Sequence, residues 1–433
     1  MCNRLTAALL AACATAAFVA PSAANAAGFY VQEQSVRGLS RAYSGEASDS
    51  GVDSLWWNPA AIGGDTDSQL YLGLQVIDLS VKADDAGSTI TRPFQPTGGV
   101  GGAPNQSNPV QTGYVPNLAG AWRINDQWSL GLAVTAPFDF TTKYAPDSWA
   151  RYGALTSRLT DIDLQPTLAW SPNKMVSLGL GLDAQYLSAD LTNAVPNLSP
   201  LLPDGASSLH GNGWNYGWDI GVQLHPDERL TIAASYRSQI DHRLTGQVAV
   251  AGLLGPLAGN NFTVPGSARF DTPSMITLGA RWKVNDRWTV DGQVQHFGWS
   301  AFNAINITYL GQTAPTPENY RDTTTEAVGA EYAWSPVLTL RAGVQLDPTP
   351  TNNNGRSARV PDGDRVLIGF GAGYKACKHL TLDLSAAYLE FSDSHVNNNA
   401  TAFAGTPVVT PVSLQGDISA SGLLVAVGAK YGF

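Results

Sequence analysis

Charge is scarce in this sequence. Asp, Glu, Lys and Arg make up 14% of its 433 residues, against about 25% in an ordinary globular domain. The basic kind is the scarcer: 25 Lys and Arg against 35 Asp and Glu leave −10, the opposite of a nucleic-acid-binding footprint. Three cysteines and six histidines are too few and too scattered for metal or nucleophile chemistry. His210, His225, His242, His296, His379 and His395 form no local motif, so no enzyme activity, cofactor or metal is expected. Long apolar runs are also missing. Nothing after residue 26 approaches the ~18 consecutive apolar residues of a membrane-spanning helix. Disorder is excluded by a 44% hydrophobic content.

The first 26 residues read as a secretory signal, with Arg4, an apolar Ala/Leu stretch and a small-x-small site at Ala24-Asn25-Ala26. The competing readings are a membrane anchor and a lipoprotein-type site at Cys13. Cleavage after Ala26 removes Arg4, Cys2 and Cys13, leaving 24 − 35 = −11 and one cysteine, Cys377. One cysteine cannot build a disulfide framework or a Cys-based zinc site.

What the chain has in quantity is glycine (44) and tryptophan (12), set in a period of two. From Val176, the apolar Val176, Leu178, Leu180, Leu182, Ala184 and Tyr186 alternate with Ser177, Gly179, Gly181, Asp183 and Gln185, the signature of a strand. Strands are predicted at Gln69–Val81, Tyr114–Ile124, Trp128–Phe140, Leu159–Trp170, Val176–Leu187, Gly213–Leu224, Leu230–Gln239, Met275–Val284, Trp288–Trp299, Thr323–Trp334, Leu338–Leu346, Arg365–Tyr374, Leu380–Phe391 and Leu423–Phe433.

A soluble sandwich also alternates, so the links decide. Tight turns such as Asn125-Asp126-Gln127, His225-Pro226-Asp227-Glu228 and Asn285-Asp286-Arg287 take turns with long links such as Lys82–Gly113 and Thr245–Pro273. Short turns on one side and long loops on the other are the outer-membrane barrel pattern, as is an even strand number. Trp122, Trp128, Trp170, Trp282, Trp288 and Trp334 stand beside the short turns, and Trp214, Trp218 and Trp299 near the other ends, as two aromatic belts would. The fold class is therefore an all-β membrane protein: a 14-stranded antiparallel transmembrane β-barrel in a bacterial outer membrane.

Residues 27–67 show no sustained alternation, yet include adjacent Trp56 and Trp57. A barrel of this size has room for more than side chains. The division expected is a signal at 1–26, an N-terminal hatch plugging the lumen at 27–67 and the barrel at 68–433. The alternative is a periplasmic tail packed under the barrel.

Several stretches resemble the FadL family of outer-membrane long-chain fatty acid transporters. They are Ala27-Gly28-Phe29, Gly38–Ala47, Asn58-Pro59-Ala60, Tyr114-Val115-Pro116-Asn117, Tyr216-Gly217-Trp218, Tyr236-Arg237-Ser238 and Pro361-Asp362-Gly363-Asp364-Arg365. The resemblance runs along the whole chain. It implies capture of apolar substrate at extracellular loops, transfer to an internal pocket near Phe29, and release through a lateral opening at a kinked third strand. Asn58, Pro59 and Ala60 of the hatch would take part in gating. It also implies assembly through the C-terminal Phe433 by the barrel-assembly machinery, contact with lipid and lipopolysaccharide, and a monomer.

Two features of the residues bear on that expectation. Pro137 lies within the third predicted strand and has no N–H for the ladder, so Pro137, Phe138 and Asp139 are expected at a break that makes the opening. Two long loops are unusually apolar, one with Leu198, Leu201 and Leu202, the other with Leu253, Leu254 and Leu257. Exposed apolar clusters mark binding, so these six are expected to form the capture groove; the alternative is that the loops pack on each other.

An anionic head group in an apolar pocket wants a cation. Where the family carries internal basic residues this chain offers Asn193 and Thr316. Arg158, Arg237, Arg321 and Arg341 are the remaining candidates. The gap keeps open uncharged substrates, monoaromatic hydrocarbons above all. A general diffusion porin and an adhesin or phage receptor are the other competing readings. The Asp362-Gly363-Asp364 stretch lacks a full calcium-loop pattern and reads as a turn.

Overall fold

The computed structural model describes residues 28–64 and 67–433; the expected signal lies outside them. Fourteen antiparallel strands close into a barrel. They are β1 (Gln69–Asp85), β2 (Gly113–Arg123), β3 (Trp128–Thr135, resuming at Phe140–Lys143), β4 (Thr156–Asn173), β5 (Val176–Val195), β6 (Gly205–Leu224) and β7 (Leu230–Arg237, then Ile240–Ala251). After them come β8 (Phe262–Thr272, then Met275–Lys283), β9 (Trp288–Phe297), β10 (Thr323–Ser335), β11 (Leu338–Asp347), β12 (Arg365–Lys375), β13 (Leu380–Phe391, then Ser394–Ala402) and β14 (Thr410–Gly432). Each pairs with its sequence neighbours, and the ring closes where β1 meets β14, from Gln69↔Gly432 to Asp85↔Gly416. Closure gives every strand a neighbour on each side, as a sheet in lipid requires.

The tight turns form because one short polar side chain substitutes for a backbone partner. Asn125 Oδ1 accepts from the amides of Gln127 and Trp128. Asn173, Asp227, Asn285 and Ser335 repeat that two-amide pattern at four further turns. On the long-loop side the strands run past their predicted ends, and a hairpin of Ala304–Tyr309 and Gln312–Pro317 extends the wall beyond β8.

The period of two sorts the wall into an apolar outside and a polar inside. On β5, Leu178, Leu180 and Leu182 are exposed, while Ser177, Asp183 and Gln185 are buried. Trp122, Trp170, Trp282, Trp288 and Trp334 face outward near the tight turns, and Trp214 and Trp218 face outward on β6, as belts should. Trp299 departs from the expectation. It lies just past the end of β9 in a short 3-10 turn, Trp299–Ala301, and is fully buried, so its ring belongs to the interior.

The segment from Gly28 to Gly64 is buried almost throughout. It holds one short helix, α1 (Val36–Ser40), and the 3-10 turns Val52–Ser54 and Pro59–Ile62. Its partners come from all round the ring. Val36 N–H donates to Tyr71 Oη on β1, Asn117 on β2 donates to the Glu33 carbonyl, and Gln223 on β6 donates to the carbonyls of Ala47 and Asp49. Ser235 on β7 reaches the Trp57 carbonyl, Gln293 on β9 accepts from Ala47 N–H, and Ser385 on β13 donates to the Val36 carbonyl. A segment bonded to opposite walls of a closed ring lies inside it. Glycine makes the fit possible: a Cβ on Gly179 of β5 or Gly343 of β11 would collide with the backbone of Pro59 or Arg41.

Charge completes the attachment. Arg41 is fully buried and lies 2.8 Å from Glu46, 3.1 Å from Asp291 on β9 and 3.4 Å from Glu331 on β10, with Asp49 also paired. Arg37 holds Asp49 and Asp53, and Lys430 of β14 reaches Asp53 at 3.0 Å. Buried charges persist only when paired; withdrawal of the segment would leave Asp291 and Glu331 with Arg281 and Arg341 alone and would take Asp53 from Lys430.

Candidate functional site: an internal cavity beside a broken strand

Phe29 stands at the centre of the aromatic interior. Its ring centroid lies 4.8 Å from Phe302, 5.1 Å from Trp299 and 5.8 Å from Phe138. Such edge and tilted contacts add to the area they bury. The backbone beside it is pinned from the opposite side of the sequence: Gly28 N–H donates to Asp362 Oδ2 at 2.8 Å, and Thr349 Oγ1 donates to the same oxygen. The Asp362-Gly363-Asp364 stretch, expected as a turn, instead runs irregularly into β12 and anchors the N-terminal segment.

Next to Phe29 is a cavity of about 50 Å³, lined by Phe29, Phe140, Leu159, Leu191, Phe270 and Phe302 among others, with Tyr320, Glu318 and Arg359. Drug-sized ligands usually fill ~300 Å³ or more, so a ligand would have to move these side chains. The lining carries one acid and one base. Arg359 donates to Ser157 Oγ at 3.1 Å and to Asn193 Oδ1 at 3.4 Å. Burial pushes the Glu318 carboxyl up to about 7, with Arg359 opposing the rise.

Arg359 is the cation that sequence reasoning missed. The four arginines named from the sequence do not line this cavity. Arg237 is bound to Asp183 and to the Trp56 carbonyl, Arg341 to Glu331 and Asp383, and Arg321 to the Thr349 carbonyl, while Arg158 is exposed. Asn193, read as the place of a missing base, instead accepts a hydrogen bond from one supplied by the loop between β11 and β12.

The third strand is broken at Pro137. Pairing of β3 with β2 stops at Leu118↔Val134, and pairing with β4 stops at Thr135↔Asp163, resuming at Phe140↔Leu159. The residues between are satisfied from the interior. The Pro137 carbonyl accepts from Val31 N–H at 2.8 Å. Gln34 donates to the Ala136 carbonyl at 3.1 Å and accepts from Ala136 N–H at 3.3 Å. Phe138 N–H donates to Asp161 Oδ2 at 3.1 Å. Phe138 and Asp139 are buried. On β2, residues 113–117 keep partners on β1 and have none on β3. Such a gap in the ladder needs an internal cause, and Pro137 supplies it.

Asn58 caps the turn that follows it. Its Oδ1 accepts from Ala60 N–H at 2.9 Å with Pro59 at the first helical position, the arrangement that favours a helix start. Its Nδ2 donates to the Ala47 carbonyl at 2.8 Å and lies 3.4 Å from the Val222 carbonyl on β6. The Asn-Pro-Ala triplet therefore presses the segment onto β5 and β6.

The six loop leucines divide. Asn197 joins the two loops, donating to the Gly252 carbonyl and accepting from Leu254 N–H. Leu253 and Leu257 are buried in that packing. Leu201 is 92% exposed, and Leu202 and Leu254 are about two-fifths exposed at 39% and 40%. Leu198 is half-buried. The packing reading describes Leu253 and Leu257, while Leu201, Leu202 and Leu254 keep an exposed apolar surface.

These features define a class: an outer-membrane β-barrel whose lumen is occupied by its own N-terminal segment and whose wall is interrupted at one strand. The sequence profile of the outer membrane protein transport protein family (OMPP1/FadL/TodX) matches residues 16–433, and the chain belongs to that family. It is 29% identical over 418 residues to a long-chain fatty acid transport protein of Escherichia coli O6:H1, covering 87% of this chain and 90% of that one. It is 28% identical to outer membrane protein P1 of Haemophilus influenzae, with 88% and 90% covered. Among solved structures, a Pseudomonas aeruginosa FadL homologue superposes with a TM-score of 0.82 at 23% identity, covering 94% of this chain and all of that one. The Ralstonia pickettii toluene transporter TbuX gives 0.66 at 17% identity, covering 93% and 100%. The last two establish the fold alone. The chain is thus an outer-membrane transport protein, of a family of transporters rather than enzymes.

Proposed function

We infer that this barrel takes up hydrophobic molecules, long-chain fatty acids first among them. The observation that carries the reading is Arg359: a guanidinium at the wall of a largely apolar cavity that also holds Glu318, with N–H groups left over after Ser157 and Asn193, matches an amphiphile with an anionic end. Capture falls to the surface of Leu201, Leu202 and Leu254, storage to the cavity at Phe29, and release to the gap between β2 and β3 at Pro137–Asp139. The N-terminal segment acts as the hatch, and its bonds through Val31 and Gln34 couple it to the gap. Similarity at 29% identity to a long-chain fatty acid transport protein supports the choice of substrate. A lumen filled from wall to wall argues against a general diffusion porin.

A second reading is uptake of monoaromatic hydrocarbons by the same route, favoured by the ring-lined cavity of Phe29, Phe140, Phe270 and Phe302. The two separate on one experiment. Uptake of labelled oleate and of labelled toluene is measured in a deletion strain complemented with wild type or Arg359→Gln. Fatty acid transport requires that deletion abolish oleate uptake and that Arg359→Gln lower it about tenfold or more, the range of a charged hydrogen bond. Loss of toluene uptake alone selects the second reading. An adhesin or phage receptor would leave both unchanged.

A further inference from the structure

The fatty acid reading leaves Glu318 unexplained, because a bare carboxylate is a poor neighbour for an incoming anion. Glu318 lines the same cavity as Arg359, yet forms no ion pair with it among the described residues. The charged and titratable groups facing it are Arg359 and Tyr320, with Asp362 and Arg356 beyond Tyr320. An anion placed on the free N–H groups of Arg359 would sit in an apolar space with a second carboxyl group. Two carboxylates so confined bind one proton between them.

The route onward is acidic too. Asp139 sits in the strand break, Asp161 caps Phe138 N–H, and Asp163, Asp183 and Asp219 follow on β4, β5 and β6, all 0–3% exposed. Among the described residues the guanidinium in contact with this group is Arg237, bound to Asp183 and 3.6 Å from Asp163, with the exposed Arg158 acting on Asp139 from farther off. Neither Asp163 oxygen has a hydrogen-bond partner. A wall with this excess of acid resists the passage of an anion in a low-dielectric interior.

We propose that Glu318 is a specificity-determining residue that admits a carboxylate only together with one proton, so that fatty acid is stored and passed to the β3 break as the neutral acid. This rests on the fatty acid reading of the cavity. The proton comes from water on Glu318. In the complex it lies between a Glu318 oxygen and a substrate oxygen, while Arg359 balances the remaining negative charge. On transfer it leaves with the substrate, and Glu318 takes up another from water. Hydrocarbons and alcohols, already neutral, need no such step.

The sign of the pH dependence follows. Below about 7 the Glu318 carboxyl is neutral and the cavity carries the net positive charge of Arg359; as pH rises through 7 it ionises and that charge is cancelled. Between pH 6 and 8.5 the protonated fraction falls about 30-fold.

The test measures binding of hexadecanoate and hexadecanol to the purified full chain in detergent at pH 6 and pH 8.5. Wild type should bind hexadecanoate about 30-fold more weakly at the higher pH and hexadecanol equally at both. Glu318→Gln should bind hexadecanoate with less than a threefold change. Asp163→Asn, checked for heat-resistant barrel migration, should raise hexadecanoate uptake at pH 8.5 with binding unchanged. Equal hexadecanoate binding at the two pH values, or a Glu318→Gln protein that keeps the wild-type slope, overturns the proposal while the fatty acid reading stands. No hexadecanoate binding at pH 6 removes the fatty acid reading itself.

Discussion

Gln34 is the joint between the N-terminal segment and the strand break, and its removal should loosen that break measurably. Its side chain donates to the carbonyls of Val31 and Ala136, and accepts from Ala136 N–H and from Asn117. Two of these four bonds, at 3.1 and 3.3 Å, hold the break directly. At about 1 kcal/mol net for each, Gln34→Ala should favour local opening at Ala136 by roughly 2 kcal/mol. Since 1.4 kcal/mol is a factor of about ten, amide exchange there should speed up roughly 30-fold, because exchange from a native state reports the local opening free energy. The assay is hydrogen–deuterium exchange with mass spectrometry on the folded barrel, following peptides across residues 130–142. Peptides from the β1–β14 seam serve as the internal control and should not change. If the 130–142 peptides exchange at the wild-type rate in a folded protein, the side chain does not secure the break and the coupling argued above is wrong.

The loop leucines should separate by burial. Replacing Leu201, Leu202 and Leu254 by serine should lower uptake at limiting substrate with normal loop folding, whereas Leu253→Ser or Leu257→Ser should make the loops protease-sensitive at about 1–3 kcal/mol per buried leucine lost. Gly179→Val places a side chain where the Pro59 backbone now lies. The barrel should survive, because the outward face of β5 is untouched, but the Pro59–Ile62 turn should be displaced and ion conductance in planar bilayers should rise. Unchanged conductance with the variant folded would show that this turn does not seal the lumen.

The barrel was legible because its rules are local. A period of two, turn residues and outward tryptophans each need only a few neighbours, and residues such as Asn125 and Asn285 do in three dimensions what their spacing announced. Pro137 was legible for the same reason: a missing N–H is a property of one residue. Trp299 misled because proximity to a strand end says nothing of which side the chain turns toward, and here it turns inward to Phe29. Arg359 was out of reach. It lies in an aperiodic loop 166 positions from Asn193, and only the closed ring brings the two together. The polar wall was readable as a set of inward residues, but not the pairing of Arg41 with Asp291 and Glu331, whose partners depend on how the segment threads the lumen.

The ladders around the ring are very unequal. β1 and β14 are joined along all 17 residues of β1, whereas β2 and β3 are joined only from Leu118↔Val134 to Arg123↔Ser129. A cylinder under lateral tension parts at its shortest joint. The seam where the two chain ends meet is thus no weak point, and the wall is scored instead beside Pro137. Swelling of the lumen, crowding in the membrane or a pull on the N-terminal segment would all act on that one line. The molecule is in this sense a pipe with a built-in tear strip, arranged so that strain from any direction reaches the one short joint beside Pro137.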